Sequence, residues 1–275
     1  MPDSFRSRLA AAVQARGPLC GGIDPSADQL RAWGLADSAS GARDFALVCL
    51  EAYAKTCAIV KPNVAFFEQY GSAGVGALEE VLAAARKEGI LVLADAKRGD
   101  ISSTSAAYAR GWLGEQSPLR SDAITLVAYL GAGALRPFFD AAAASGRGVF
   151  VLVRSSNEEG RAIQLARTDN LTSVEETLLA EVAARGETVG AVVGLAKGVR
   201  PLALPLGSFY LAPGLGIQGA RWQEVRRQFA GLGSTPVVVN MSRSLCAHGP
   251  SVGDLYEAAA RARDAAAAEL RPTRD

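Results

Sequence analysis

The fold of this chain is predicted most directly by one stretch, Gly89-Ile90-Leu91-Val92-Leu93-Ala94-Asp95-Ala96-Lys97-Arg98-Gly99-Asp100. An apolar run that follows a glycine and ends in charges is typical of a buried strand. Because side chains alternate along a strand, Asp95 and Lys97 are predicted to point the same way where the strand ends. Buried charges are costly unless they are paired. The stretch alone therefore leaves two interpretations open, a structural ion pair or a functional site.

Length and composition restrict the class of protein. A chain of 275 residues can bury a large core and can form one α/β barrel domain over residues 1–275. The net charge is +1 and no basic or acidic block occurs, so we expect no nucleic-acid and no membrane partner. Residues 5–16 have an amphipathic helix pattern rather than that of a signal peptide. A cytoplasmic location is therefore expected.

Short apolar runs alternate with longer helical patterns along the chain. Eight strands are expected, at residues 19–24, 58–61, 90–97, 123–126, 148–154, 189–195, 209–212 and 237–240. Their spacing of about 30 residues is that of one βα unit. Eight such units predict a TIM (β/α)8 barrel, with an open doubly wound sheet as the alternative. Glycine and proline within residues 196–208 predict that the sixth helix is short or missing.

Polar and charged side chains gather at the carboxyl ends of the expected strands, where TIM barrels hold their active sites. Asp24 ends the first strand and Lys61 the second. Asp95 and Lys97 end the third, and Arg243 follows the eighth. A purely structural interpretation needs a separate reason for each of these residues, whereas one shared pocket accounts for all of them.

The segments after the seventh and eighth strands are typical of a phosphate site. Glycines at 214, 216 and 219 let backbone N–H groups approach an anion, and Arg243 supplies a planar fork of donors. The loops after strands seven and eight commonly hold phosphate in TIM barrels. Residues 214–219 match the dinucleotide pattern only loosely and follow the wrong strand for it. The sequence therefore predicts phosphate binding rather than a plain turn.

Metal sites and disulfides are not favoured by the sequence. The four cysteines, Cys20, Cys49, Cys57 and Cys246, form no Cys-x-x-Cys pair, and His248 is the only histidine. We expect reduced, mostly buried thiols and no metal site.

Three motifs in combination resemble those of the orotidine 5′-phosphate decarboxylases: Asp95-x-Lys97-x-x-Asp100-Ile101, Lys61-Pro62-Asn63 and Pro213-Gly214-x-Gly216-x-Gln218-Gly219. The longer bacterial type is indicated by residues 61–68 and 154–157. The resemblance covers residues 21–245. It implies a homodimeric barrel that converts orotidine 5′-monophosphate to UMP and carbon dioxide with neither a metal nor an organic cofactor.

The resemblance also implies a role for each matching position. A Lys-Asp-Lys-Asp array surrounds the reacting carbon in that family, and it corresponds here to Lys61, Asp95, Lys97 and Asp100. Lys97 would stabilise the carbanion-like state at C6 of the pyrimidine and then protonate it. Asp100 and Thr104 would come from the partner subunit. The implied substrate contacts are Asp24, Lys61 and Thr104 for the ribose, Gln218, Arg243, Gly216 and Gly219 for the phosphate, and Ser155 or Ser156 for the base.

The chain departs from the family pattern at the end of the fourth strand. Val127 and Ala128 stand where a small polar residue and a proline are expected. These two residues could contact the base only through their backbone groups, so Ser155 or Ser156 is expected to contribute part of the pyrimidine recognition.

Two other functions stay open at this point. A metal-dependent phosphosugar lyase, aldolase or epimerase on the same barrel needs clustered oxygen ligands, and Lys61 would repel the metal. A non-catalytic barrel that binds a phosphorylated ligand needs Asp24, Gln218 and Arg243. It gives no reason for four alternating charges.

Overall fold

The computed structural model describes residues 3–195, 198–216 and 219–271. Its strands are β1 Leu19–Ile23, β2 Ile59–Pro62, β3 Leu91–Arg98, β4 Ala123–Leu126, β5 Gly148–Arg154, β6 Val189–Val193, β7 Tyr210–Ala212 and β8 Val237–Met241. They are parallel, each pairs with the next along the chain, and β8 pairs with β1. The sheet is therefore a closed barrel, which confirms the predicted TIM fold and excludes the open sheet.

Helices connect most of the strands. They are α1 Phe5–Arg16, α2 Ala27–Ala32, α3 Ala39–Tyr53, α4 Ala65–Glu68, α5 Gly71–Glu88, α6 Ser102–Leu113, a 3-10 helix at Ala132–Leu135, α7 Arg136–Ser145, α8 Arg161–Gln164, α9 Val174–Ala183, α10 Trp222–Phe229, α11 Arg243–Cys246 and α12 Val252–Leu270. Between β6 and β7, residues 194–195 and 198–209 form no helix, as predicted. Across the described ranges, no helix is long and apolar enough to cross a membrane.

Alternation of side chains along the strands builds two apolar layers. On β3, Leu91 and Leu93 face the barrel interior, where they pack with residues such as Phe150. Val92 and Ala94 face outward and join the layer between the sheet and the helices. The interior layer fills the barrel below the polar strand ends, so the cavity at those ends has an apolar base.

Helix α1 contributes to the interior of the barrel. The ring of Phe5 contacts the rings of Phe150 and Phe209 edge-on, at centroid distances of 5.9 and 5.1 Å. Gly148 permits this approach, because a Cβ atom there would lie 2.3 Å from the Phe5 ring. Helix α1 is therefore part of the barrel core.

The carboxyl end of β3 departs from regular pairing. Ala94 pairs with Ile124 of β4, but the next pair joins Arg98 to Leu126, so β3 bulges over the residues between. Lys97 lies in this bulge with a φ of +46°, a conformation that costs energy for a residue with a side chain. Bulges and strained backbone of this kind cluster beside functional sites.

All four cysteines are free and buried. Burial raises the pKa of the Cys20 thiol, and it raises the pKa of the Cys57 thiol to about 12. These two groups are therefore neutral thiols near pH 7, as expected for core residues.

Candidate active site

A cavity of about 310 Å³ opens at the carboxyl ends of the barrel strands. Seven of the residues predicted to form the site line it: Asp24, Lys61, Asp95, Lys97, Ser155, Ser156 and Arg243. The strand ends on which these residues lie are far apart in sequence. Closure of the barrel brings them to one place, as the shared-pocket interpretation requires.

Asp95 lies between two lysines. Its Oδ2 accepts a hydrogen bond from Lys61 Nζ at 2.8 Å, and its Oδ1 accepts one from Lys97 Nζ at 2.7 Å. The side chains of Lys61 and Asp95 are 6% and 11% exposed, whereas that of Lys97 is 51% exposed. A buried ion pair therefore holds an accessible ammonium group in the cavity.

The charges of this cluster stabilise one another. Burial alone would lower the pKa of Lys61 and raise that of Asp95. The carboxylates of Asp95 and Asp24 outweigh burial at Lys61 and hold its pKa above the ordinary value. The two ammonium groups likewise hold the pKa of Asp95 well below its usual range. Both groups are charged near pH 7, so Asp95 is not available as a proton donor.

Thr125 of β4 is part of the same cluster, and sequence reasoning missed it. Its hydroxyl donates a hydrogen bond to Asp95 Oδ1 at 2.9 Å and accepts one from the Lys97 N–H at 2.9 Å. The residue is buried and lines the cavity. The only signal in the sequence is its place near a strand end, since a threonine in a short strand is otherwise ordinary.

Two buried oxygen atoms at the cavity have no hydrogen-bond partner in the described part of the chain. Asp24 follows β1 and Ser242 follows β8, and both line the cavity. Asp24 Oδ1 and Ser242 Oγ are buried with no hydrogen bond within the part of the chain that the structure describes. Buried polar atoms are almost always hydrogen-bonded, so these two positions suit polar groups of a ligand.

Arg243 supplies a positive charge at one end of the cavity. It is exposed at the start of α11, and its guanidinium makes no ion pair or hydrogen bond to any residue in the described ranges. Gly214, with a φ of +108°, and Leu215 also line the cavity. A free guanidinium in a cavity wall is suited to an anion.

Gly216 and Gly219, two of the other predicted phosphate residues, are not among the described residues that line the cavity. The N–H of Gly216 donates to the Ala220 carbonyl at 3.0 Å, and the N–H of Gly219 donates to the Gly216 carbonyl at 2.8 Å. Both N–H groups are therefore hydrogen-bonded to carbonyl groups of the same loop. Gln218 lies outside the described residues. A phosphate role for Gly216, Gln218 and Gly219 stays a prediction.

The loop after β5 brings two serines to the cavity. Gln164 Nε2 donates to Ser155 Oγ at 2.7 Å, and Gln164 Oε1 accepts from the Ser155 N–H at 3.4 Å. Gly160 permits this contact, because a Cβ atom there would lie 2.5 Å from Ser155 Oγ. Ser155 is thus fixed by the end of α8, and Ser156 beside it also lines the cavity.

The residues that depart from the family pattern lie elsewhere. Neither Val127 nor Ala128 is among the described residues that line the cavity. The Val127 N–H donates to the Arg98 carbonyl at 2.9 Å, so this amide is already used by the end of β3. Other polar groups of the wall that sequence reasoning did not select are Asn63, Asn157, Asn240 and Ser244.

A single protomer does not bring Asp100 and Thr104 into this cavity. Asp100 is half-buried, and its Oδ1 accepts the Ile101 N–H at 2.7 Å. Thr104 is exposed on α6. Neither residue lines the cavity that holds Lys97. Their contribution from a partner subunit stays a prediction.

Comparison with known proteins gives the family. Residues 17–257 match the family described as orotidine 5′-phosphate decarboxylase / HUMPS. The chain belongs to this family. The match spans the whole barrel, from two residues before β1 to the second turn of α12, and it confirms the resemblance seen in the motifs.

Relatives in this family are similar to the chain over nearly their full length. The orotidine 5′-phosphate decarboxylase of Corynebacterium efficiens is 44% identical over 264 residues, which are 93% of this chain and 94% of that protein. That of Streptomyces coelicolor is 46% identical over 266 residues, 94% of this chain and 95% of that protein. A solved structure from Streptomyces avermitilis, assigned as an orotidine 5′-phosphate decarboxylase, has a TM-score of 0.91 at 43% identity and covers 98% of this chain and 96% of its own.

Proposed function

We propose that this protein is an orotidine 5′-phosphate decarboxylase, which converts orotidine 5′-monophosphate to UMP and carbon dioxide. The observation that carries the proposal is the cluster of Lys61, Asp95 and Lys97, in which a buried carboxylate holds an accessible ammonium group in the cavity. Membership of the family and relatives of that name with nearly the same length support it.

The proposed chemistry needs a fixed cation and a proton. When the bond between C6 and the carboxylate breaks, its electron pair stays on C6 in an orbital that the pyrimidine ring cannot delocalise well. Lys97 stabilises this charge and then supplies the proton that completes UMP. A preorganised charge is effective here, and loss of one such group costs about 3–4 kcal/mol of transition-state stabilisation. We assign no metal and no organic cofactor to the reaction.

The lowered pKa of Asp95 fits a supporting role for this residue. An ionised Asp95 orients Lys97, because its Oδ1 accepts the Nζ hydrogen bond. Lys61 neutralises the other carboxylate oxygen, which would otherwise be a buried unpaired charge.

The cavity has groups suited to each part of the nucleotide. We assign the ribose hydroxyls to Asp24 and Lys61, because Asp24 Oδ1 has no hydrogen-bond partner among the described residues. We assign the phosphate to Arg243, together with Gln218, Gly216 and Gly219. We assign the base to Ser155 and Ser156, which line the cavity on the loop after β5. Binding energy from the remote phosphate can then organise the charged centre.

We further propose a homodimer in which Asp100 and Thr104 complete the partner's site. Exposed apolar side chains lie near Asp100: Ile101 is 56% exposed, and Tyr129 and Leu130 after β4 are 79% and 56% exposed. The two loops meet at Gly99, where a Cβ atom would lie 2.2 Å from the carbonyl oxygen of Val127. An apolar surface of this kind, next to a carboxylate that the protomer's own cavity does not use, supports an interface between subunits.

Two broader features belong to the same proposal. Residues 1–275 would form a single catalytic domain, since β1 to β8 close one barrel. The protein would act in the cytoplasm, where its buried free cysteines remain reduced.

One assay tests the proposed function. Purified protein is mixed with orotidine 5′-monophosphate, and the absorbance change and UMP formation are followed with EDTA or with added Mg²⁺. We expect turnover at the same rate in both. Absence of turnover in both conditions would refute the proposal, and turnover only with Mg²⁺ would favour the metal-dependent alternative.

A further inference from the structure

We propose that Thr125 is a positioning residue for the reaction, and that its single hydroxyl fixes the relative geometry of Asp95 and Lys97. The inference rests on the proposed decarboxylase function. Thr125 is on β4, whereas the two charged residues are on β3, so its contacts cross between strands. No substrate contact is required of it.

The hydroxyl of Thr125 makes two hydrogen bonds, one as a donor to Asp95 and one as an acceptor from Lys97. Its proton is donated to Asp95 Oδ1 and its oxygen accepts the backbone N–H of Lys97, each at 2.9 Å. A hydroxyl has one proton to donate, so the direction of both hydrogen bonds is settled by the partners. One oxygen atom therefore connects the carboxylate of Asp95 to the backbone that carries Lys97.

The bulge in β3 explains why this connection is needed. Regular pairing with β4 stops after Ala94 and resumes at Arg98. Lys97 therefore lies outside the regular backbone hydrogen bonding between β3 and β4. Its φ of +46° adds strain at the same residue. A backbone N–H in such a place needs another acceptor, and the Thr125 hydroxyl supplies it. The strained conformation of Lys97 is thus held from the neighbouring strand.

The same hydroxyl restrains the carboxylate of Asp95. Oδ1 accepts from Thr125 and from Lys97 Nζ, while Oδ2 accepts from Lys61. Three donors in fixed positions define the plane of the carboxylate and the place of the ammonium group. Without the hydroxyl, the carboxylate can turn and Lys97 Nζ can shift. A shift of about 1 Å in a reacting group can cost about 100-fold in rate.

The side chains of β4 distinguish this role from simple packing. The strand consists of Ala123, Ile124, Thr125 and Leu126, so Thr125 is its only polar side chain. Valine has nearly the same shape and suits a strand equally well. Replacement of the hydroxyl by a methyl group therefore tests the hydrogen bonds while it keeps the volume.

The test compares Thr125→Val with Thr125→Ser, which keeps the hydroxyl. Thr56→Val is the matched control, because Thr56 is also buried and its hydroxyl donates to the Ala52 carbonyl away from the cavity. We expect Thr125→Val to lower kcat by about 10- to 100-fold, with affinity for UMP within about threefold of the wild type. Thr125→Ser and Thr56→Val should retain kcat within about threefold.

Each outcome has a defined meaning. Wild-type kcat in Thr125→Val, or an equal loss in Thr125→Ser, overturns the inference while the decarboxylase function stands. If Thr125→Val does not fold, Thr125→Ala takes its place. The inference then requires a low kcat in Thr125→Ala and a nearly full kcat in Thr125→Ser. Absence of turnover by the wild-type protein refutes the function and this inference with it.

Discussion

At the scale of single residues, the site is organised around one buried carboxylate. Asp95 accepts from both lysines, and its pKa lies well below the ordinary value because those cations outweigh the effect of burial. Lys61 depends on it in turn, since a buried ammonium group without a partner is costly. We therefore expect removal of Asp95 to affect stability as well as the proposed catalysis.

We expect Asp95→Asn to lower the free energy of unfolding by about 3–5 kcal/mol at pH 7, because it leaves Lys61 buried without its paired charge. Urea unfolding measures the change. Asp44→Asn, which breaks an exposed pair with Arg43, is the control and should cost less than about 1 kcal/mol. Equal stability of Asp95→Asn and the wild type would contradict this account of the ion pair.

The pH dependence of that difference has a definite sign. The pKa of Asp95 is lower in the folded state than its ordinary value of 3.8. The stability that its ion pairs contribute is therefore complete above about pH 4 to 5 and is lost as the pH falls. Unfolding curves of the wild type and Asp95→Asn should converge toward acid pH. A difference that grows toward acid pH would contradict the assigned shift.

The sequence predicted these residues but not their geometry. Alternation along a strand placed Asp95 and Lys97 together, and the structure confirms that they contact each other. The bulge, the positive φ of Lys97 and the role of Thr125 could not be predicted, because they depend on how β3 pairs with β4. Pairing of this kind is a tertiary property that no local pattern contains.

At the scale of elements, strands β2 and β3 hold the charged cluster, and the segments after β1, β5 and β8 add the other polar groups of the cavity wall. All eight strands were predicted, because buried parallel strands are short continuous apolar runs. The helices α2, α4, α8 and α11 were not, since segments of four to six residues carry too little periodicity. One consequence is that sequence reasoning missed Gln164, which ends α8 and fixes Ser155.

Arg243 at the start of α11 is expected to act mainly in binding. Arg243→Ala removes a guanidinium that has no protein partner in the described ranges, so the fold should be unaffected. Loss of charge-assisted hydrogen bonds to a phosphate should raise KM for orotidine 5′-monophosphate by about 10- to 100-fold. Steady-state kinetics measure the KM, and Arg261→Ala, at an exposed position of α12, is the control. An unchanged KM would refute the phosphate assignment.

At the scale of the whole molecule, closure of the barrel makes the site. Residues at or just after the carboxyl ends of β1, β2, β3 and β8 meet around one cavity, because each strand pairs with the next and β8 returns to β1. Asp100 and Thr104 remain outside the cavity of their own protomer. The proposed homodimer would bring these two residues to the cavity of the partner subunit.

Mixed dimers test this arrangement. If Asp100 acts across the interface, Lys97→Ala and Asp100→Ala subunits form a hybrid in which one site has both wild-type residues. Random mixing at equal amounts should then restore about a quarter of wild-type specific activity, since about half of the dimers are hybrids with one intact site. Mixing of unfolded and refolded subunits allows the exchange. No recovery above the two parent variants would show that Asp100 acts in its own protomer.

The central claim, that Lys97 is the proton donor, is tested most directly by Lys97→Ala. Lys87→Ala on the exposed face of α5 is the matched control. The measurement is turnover of orotidine 5′-monophosphate in EDTA, with UMP binding followed in parallel. We expect Lys97→Ala to abolish decarboxylation and still to bind UMP, while Lys87→Ala keeps wild-type activity. Full activity in Lys97→Ala would contradict it.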